Sequence, residues 1–372
     1  MSFCQRLGAF ALFSLLGAVN ADTLRIGATL PLTGAQAQSG QDALAYLRAT
    51  VELINSEHLA GNHRMELVTA DDGYDPAKSA SNTEAMIRSG GVALMVNAIG
   101  TANIAAMSTP LKQHGVALWA PLSGPQIVYK RDGGSPVVPF RASYHDEIRQ
   151  QATLLERMGV TSVAIVYTDD GFGADVLAGW DRFFAAQPNS ALRVSGRFAV
   201  PRGSDNVSAA MQSALATRPT AIALGLVAGP AMKAVEQARN ARLPGLYVTL
   251  LSVSATAPVI ARVRDIGGSG IIFSAVTRPA SATRGLAIGR DFERLREQAK
   301  LADSWRGYEC YLSLRILAEV LRQLPNRPIT AEAVALALRN AAEVRVGGDR
   351  FRFNAETRFA DVIYIGKSGF VF

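Results

Sequence analysis

Short apolar runs alternate with longer segments in which apolar residues recur every three or four positions. The first run covers residues 24–30, and the segment after it, 42–56, places four apolar residues on one side of a helix: Leu44, Leu47, Val51 and Ile54. A second run at 65–70 precedes Asp75-Pro76, a capping carboxylate followed by proline, which is typical of a helix start. The pattern predicts a strand–helix–strand unit at the beginning of the chain.

The same alternation continues along the chain. Further strands are predicted at 92–96, 116–120, 163–167, 192–198, 221–226, 246–250 and 271–273. Helices are predicted near 103–113, 147–158, 174–186, 205–216 and 230–241. Regular alternation of this kind predicts an α/β fold of doubly wound parallel sheets with helices on both faces.

Two lobes are expected, because 372 residues exceed what one hydrophobic core usually supports. A Pro/Gly-rich stretch at 132–139 ends the first array, and a second break lies at 275–282. A long helix at 304–324 and strands at 351–353 and 362–365 follow. The predicted division is lobe 1 at 22–140, lobe 2 at 141–275, a return to lobe 1 at 276–345, and terminal strands of lobe 2 at 346–372. Several crossings between lobes would form a hinge.

The first residues predict export. A positive charge within residues 1–6 precedes an apolar run at 7–19 that is too short to span a membrane, and Val19-Asn20-Ala21 offers small residues for a signal peptidase. We expect a signal peptide at 1–21, cleaved after Ala21, and a protein of the periplasm; a buried N-terminal helix is the alternative. Cleavage would remove Cys4 and leave Cys310 alone, without an intramolecular disulfide.

Composition argues against several functions. The formal net charge is +7, but basic residues are scattered, so we expect no nucleic-acid partner. The four histidines are dispersed and no Gly-x-Ser-x-Gly motif occurs, so we predict no metal, cofactor or catalytic residue. A hydrolase with an unrecognised site remains the less favoured alternative.

Loops after strands are the candidate binding sites, because open α/β sheets bind ligands at the carboxyl ends of their strands. At 100–103 a glycine permits close approach of the backbone, and Thr101 or Asn103 could cap the following helix, contact a ligand, or do both.

Five short motifs, in this order and spacing, make the chain resemble the leucine/isoleucine/valine-binding family of ABC-transporter receptors, which are type I periplasmic binding proteins. The similarity runs over nearly all of the sequence after the signal peptide. The motifs are 26–34 with Gly40, Asp71-Asp72-Gly73-Tyr74-Asp75-Pro76, Ile99-Gly100-Thr101, Pro121-Leu122-Ser123-Gly124, and 167–173. The resemblance implies two doubly wound lobes joined by a three-strand hinge, closing over one small molecule.

The resemblance also implies a set of ligand contacts. The ligand carboxylate would lie between the 100–103 turn and Leu122-Ser123-Gly124. Ile104 replaces the serine that the family carries there, which shifts the expected contact to Asn103. Ser39 stands where relatives carry an aromatic residue, and Phe172 where they carry an aromatic lid, with core packing as its alternative role.

Ala228 and Ser252 stand where the family's amino-acid receptors place an aromatic and an acidic residue around the ligand's ammonium. A buried ammonium without a counter-charge costs about 2 to 5 kcal/mol. We therefore expect a ligand with a carboxylate-like or amide end and no free ammonium. The expected protein is a monomeric, non-enzymatic receptor that delivers its solute to ABC-transporter permease subunits; a sensor for a chemoreceptor or histidine kinase is the alternative.

Overall fold

The computed structural model describes residues 23–129, 135–278, 280–325, 329–352 and 364–367. The expected signal peptide lies outside these residues. The strands are β1 Thr23–Leu30, β2 Arg64–Asp71, β3 Leu94–Val96, β4 Ala117–Trp119, β5 Val137–Val138, β6 Ser162–Asp169, β7 Arg193–Pro201, β8 Ala221–Gly225, β9 Tyr247–Leu250, β10 Ile271–Ala275, β11 Glu343–Val346, β12 Asp349–Arg352 and β13 Tyr364–Lys367.

The α-helices are α1 Ala37–Ser56, α2 Pro76–Arg88, α3 Thr101–His114, α4 Tyr144–Arg157, α5 Gly171–Ala186, α6 Ser208–Ala216, α7 Ala228–Asn240, α8 Ala257–Asp265, α9 Ala287–Gln298, α10 Trp305–Arg322 and α11 Ala331–Asn340. Within the part of the chain that the structure describes, no helix has both the length and the apolarity needed to cross a membrane.

Two separate sheets form the two lobes. The first has five parallel strands in the order β2-β1-β3-β4-β5. The second has the order β13-β10-β9-β8-β6-β7, in which only β13 is antiparallel to its neighbour. Together they confirm the predicted α/β fold of two doubly wound lobes.

Each sheet is covered by helices on both faces because its central strands contain continuous apolar runs. In β6, Ala164 and Val166 pack towards α6–α8, whereas Val163 and Ile165 pack towards α4 and α5. Successive side chains of a strand point to opposite faces, so a continuous apolar run needs cover on both. In the first sheet, β3 divides its side chains in the same way between two clusters.

The chain passes from the first lobe to the second at 139–143 and returns at 276–286. A third passage would fall at 353–363, outside the described residues. The predicted three-strand hinge thus has two described connections, and the exact lobe boundaries stay a prediction.

The end of the chain corrects one expectation. Residues from 346 onwards were expected to belong to the second lobe, but β12 forms an antiparallel hairpin with β11. Val344 and Val346 are buried in the first lobe's core, and the Phe351 ring lies 6.1 Å from the Phe140 ring. Apolar side chains on this hairpin hold it against the first lobe, and only β13 joins the second sheet. Helix α8 and strands β5 and β11 had not been predicted.

Candidate ligand-binding cleft

A cleft lies between the lobes and encloses about 290 Å³, including the part open to solvent. It is lined by residues of both lobes: Gln36, Tyr74, Ile99, Gly100, Thr101, Leu122 and Ser123 from the first, Tyr144, Phe172, Val227 and Val253 from the second, and Arg306 from α10. The loops after β1, β2, β3, β4, β6, β8 and β9 supply most of these residues. The cleft therefore has the position expected for an open parallel sheet.

The N-terminus of α3 forms one wall. Gly100 adopts φ 101°, a backbone conformation that favours glycine, and its N–H donates to the Ser123 Oγ at 2.8 Å. Among the described residues, no side chain caps α3, and the buried Thr101 hydroxyl has no hydrogen-bond partner. Free N–H groups at the positive end of a helix favour an anion.

Aromatic rings form the opposite wall. Phe172 lies edge-on to Tyr144, with ring centroids 5.1 Å apart. Burial raises the pKa of Tyr144 to about 12, so its phenol stays protonated at neutral pH. Phe172 lines the cleft and also packs in the core of the second lobe, and its role as a lid stays a prediction.

The two second-lobe helices at the cleft differ at their N-termini. Asp170 caps α5 by accepting hydrogen bonds from the backbone N–H groups of Phe172 and Gly173. Helix α7 begins after Val227, and no side chain caps it. The N-termini of α3 and α7 thus leave two uncapped helix ends at the cleft, one from each lobe.

Arg306 is the charged residue among the lining residues that sequence reasoning missed. It lies in the first turn of α10, is 6% exposed, and donates from Nη2 to the carbonyl oxygen of Val253 in the second lobe at 2.7 Å. Its Nε is buried and has no hydrogen-bond partner in the part of the chain that the structure describes. The signal in the sequence was a cation two residues after the capping Ser304, at the end of a helix where the dipole disfavours positive charge.

Other hydrogen bonds also join the lobes across the cleft. Arg202 donates from Nη2 to the carbonyl oxygen of Tyr74 at 3.0 Å, and its guanidinium lies over the Tyr74 ring. The backbone N–H of Gln126 donates to Asp175 Oδ1 at 3.0 Å. The lobes are therefore in direct contact on the rim of the cleft.

Of the residues predicted to contact the ligand, the cleft is lined by Thr101, Leu122, Ser123 and Phe172. The other five lie outside its lining, and their contact with a ligand stays a prediction. The Asn103 amide donates to the Ser79 hydroxyl at 2.7 Å, and the buried Ser39 hydroxyl faces Gln36 at 3.4 Å. Both side chains are turned into the first lobe and support the loops around them.

Gly124 makes backbone contacts, and Ala228 packs in a hydrophobic core. The Gly124 carbonyl accepts a hydrogen bond from the Tyr144 N–H at 2.7 Å, and a Cβ at Gly124 would meet the Ala142 oxygen at 2.9 Å. Ala228 is buried in the second lobe's core. Gly124 therefore permits close packing of the first crossover.

Ser252 belongs to a buried charge cluster instead of the cleft. Its backbone N–H and its hydroxyl each donate to Glu147 at 2.8 Å, and Arg141 also hydrogen-bonds the hydroxyl. Arg141 lies 3.2 Å from Glu147 of α4 and 3.4 Å from Glu309 of α10. This hinge cluster, defined as Arg141, Glu147, Ser252 and Glu309, joins the first crossover to both lobes.

The lining is rich in hydrogen-bond donors. Its residues include hydroxyls, amide N–H groups and one guanidinium, and no carboxylate, thiol or imidazole lines it among the residues that the structure describes. The described ranges also contain no group of three His, Cys, Asp or Glu side chains that could hold a metal ion.

Comparisons with known proteins agree with this geometry. Residues 23–368 match the sequence family described as periplasmic binding protein. A substrate-binding periplasmic protein from Ralstonia solanacearum has 26% identity and a TM-score of 0.82, over 92% of this chain and 97% of its own. A possible leucine/isoleucine/valine-binding protein from Rhodopirellula baltica SH 1 has 19% identity and a TM-score of 0.82, over 93% and 94%.

A third structure, an ABC-transporter solute-binding protein of R. palustris in complex with benzoate, has 17% identity and a TM-score of 0.81, over 94% of this chain and 95% of its own. At this identity the likeness shows the fold. Among curated protein sequences, none matches this chain.

Proposed function

Because the chain belongs to the periplasmic binding protein family, we propose that it is a periplasmic receptor that closes its two lobes over one small organic acid and delivers it to an ABC importer. The observation that carries this proposal is the interlobe cleft, which residues of both lobes line and which Arg306 and Arg202 bridge by hydrogen bonds. A ligand that contacts both lobes shifts the population towards the closed form.

The charge of the cleft supports an acid as the solute. Two uncapped helix N-termini and one guanidinium face it, and no carboxylate of the described lining could balance an ammonium group. The benzoate complex of the R. palustris receptor, which has the same fold, is consistent with a carboxylate ligand. A free α-amino acid would bring a positive charge into this surrounding without a counter-charge.

Delivery to an importer requires that the closed form be recognised at the membrane. A sensor role would use the same closed form but a different partner. Cells that lack the gene should lose uptake of the bound acid, whereas loss of chemotaxis or transcriptional response with intact uptake would favour the sensor.

Thermal unfolding against a solute library tests the binding proposal. The protein should first be unfolded and refolded to remove any solute carried through purification. A carboxylic acid at a hundredfold excess over its dissociation constant should then stabilise it by about 2.7 kcal/mol. The matched neutral amide and leucine should give smaller shifts. Micromolar binding of leucine without binding of any carboxylic acid would contradict the proposal.

A further inference from the structure

We propose that Arg306 supplies the counter-charge for the ligand and that the ligand is a monoanionic aryl carboxylate. This inference rests on the proposed receptor function and narrows its solute class. It is carried by the unpaired Arg306 guanidinium and by the apolar and aromatic residues that share the cleft with it.

Arg306 occupies an unfavourable position unless an anion binds it. It is 6% exposed, and no residue within the described ranges accepts a hydrogen bond from its Nε. Among the residues that the structure describes it makes no ion pair, and its one hydrogen bond is to the neutral Val253 carbonyl. Burial of an unpaired charge is costly, and the N-terminal turn of a helix adds repulsion for a cation.

Asp42 and Glu309 both interact electrostatically with Arg306, but neither forms an ion pair with it among the described residues. Burial raises the pKa of Glu309, and Arg141 opposes that rise more strongly than Arg306 does. Glu309 forms its ion pair with Arg141, at 3.4 Å. Arg141 is thus the structural cation of this region, whereas Arg306 extends to the cleft.

The donors around the cleft favour a carboxylate as the anion. The Thr101 hydroxyl is buried and has no hydrogen-bond partner among the described residues. Thr101 is also the first residue of helix α3, whose N-terminus is uncapped. A carboxylate has two oxygens that each accept charge-assisted hydrogen bonds, which are stronger than bonds between neutral groups. Arg306, Thr101 and the α3 N–H groups are the donors that would satisfy them.

The remainder of the lining favours a flat apolar body. Tyr74, Tyr144 and Phe172 contribute rings, and Ile99, Leu122, Val227 and Val253 contribute aliphatic surface. Rings stack on or pack edge-on against other rings with a gain beyond the buried area. Arg306 is the one charged residue in the described lining, so a second carboxylate on the ligand would be buried against apolar walls. These features favour a ligand that carries a single negative charge.

Benzoate and its neutral isostere benzamide test the inference by titration calorimetry on refolded protein. The wild type should bind benzoate about 30-fold or more tightly than benzamide, the effect of a charge in a buried pair. Arg306→Met should remove this preference, and Arg306→Lys should restore part of it because it keeps the charge.

Arg202→Met is the matched control. Arg202 also donates from one lobe to a backbone carbonyl of the other, but it lies 3.7 Å from Asp170 and is outside the lining. Its loss should weaken benzoate and benzamide binding by the same factor. Equal weakening of both ligands by Arg306→Met would show that Arg306 acts only in closure, and would overturn the inference while the receptor function stands.

The wild-type measurement keeps the inference falsifiable if Arg306→Met does not fold. Equal affinity of the wild type for benzoate and benzamide would overturn it without any variant. Tight binding of an aliphatic carboxylate, with no binding of benzoate, would overturn the aryl class alone. Failure of every carboxylate in the solute library would instead overturn the proposed function.

Discussion

The Arg141 guanidinium lies 3.4 Å from the Glu309 carboxylate, which joins the first crossover between the lobes to helix α10 of the first lobe. The same guanidinium lies 3.2 Å from Glu147 at the start of the second lobe. All three side chains are at most 8% exposed. The hinge cluster therefore fixes both lobes to one buried cation.

Arg141→Met should lower the free energy of unfolding by about 3–5 kcal/mol, because it leaves two carboxylates buried without their partner. Urea unfolding at pH 7 measures this loss. Arg345→Met is the control, since Arg345 is 70% exposed and pairs with Glu343 on the surface, where ion pairs contribute about 0–1 kcal/mol. Similar losses in both variants would contradict the structural role of the cluster.

The Arg141→Met deficit should also depend on pH. Burial raises the pKa of Glu309, and Arg141 opposes this rise. A buried acid whose pKa is raised destabilises the fold when it ionises. This loss of folding free energy is complete above the folded-state pKa, and it disappears as the pH falls to the ordinary pKa range of a glutamate. The deficit should shrink between pH 7 and pH 4.

Gly307→Ala should destabilise the first lobe. A Cβ at Gly307 would lie 2.2 Å from Tyr46 Cε2, and the Tyr46 ring is fixed by stacking on Phe292 at 5.7 Å. Overpacking of a rigid core costs about 1–3 kcal/mol, measured as a lower midpoint in urea. Gly229→Ala, also in a first helical turn but with no neighbour within 4 Å, should be neutral or stabilising by up to about 1 kcal/mol.

Gly100→Ala should weaken ligand binding. Gly100 has φ 101°, and a Cβ there would lie 2.8 Å from Tyr74 Cε2 and 3.0 Å from Asn103 Oδ1. The substitution would displace the N-terminus of α3, which presents its N–H groups to the cleft. Titration with benzoate should show reduced affinity.

Gly115→Ala, at the other end of α3, separates backbone strain from binding. It has φ 65° and no neighbour within 4 Å, so it should reduce stability by about 1 kcal/mol and leave benzoate affinity unchanged. Unaltered benzoate affinity in Gly100→Ala would show that the end of α3 does not form the ligand site.

Asp71→Asn should reduce stability at neutral pH and have less effect in acid. The Thr33 hydroxyl, at 2.6 Å, and the N–H groups of Leu32 and Gly73 hold the pKa of Asp71 below its usual range. An acid with a depressed folded-state pKa stabilises the fold above its unfolded pKa, and this contribution is lost as the pH falls through the folded value. Urea unfolding should show a smaller difference in the free energy of unfolding between Asp71→Asn and the wild type at pH 3 than at pH 7. The difference should be small at both pH values because Asp71 is exposed to solvent.

The cleft was predictable in part because strand-end loops are set by local sequence. Thr101, Leu122, Ser123 and Phe172 each follow an apolar run that forms a strand, and parallel strands bring their carboxyl ends to one edge. Ser252 also follows a strand, but its partner is Glu147, about a hundred residues earlier in the chain. No local pattern contains that pairing.

The sequence alone determined the class of fold and the order of most elements, because apolar periodicity records which faces of a strand or helix are buried. Only the tertiary structure decided which side chains face the cleft. The direction of Arg306 depends on how α10 packs between the lobes, and the location of β12 depends on a hairpin that buries its apolar side chains against the first lobe. Both are contacts between segments far apart in the chain, where local propensity has no influence.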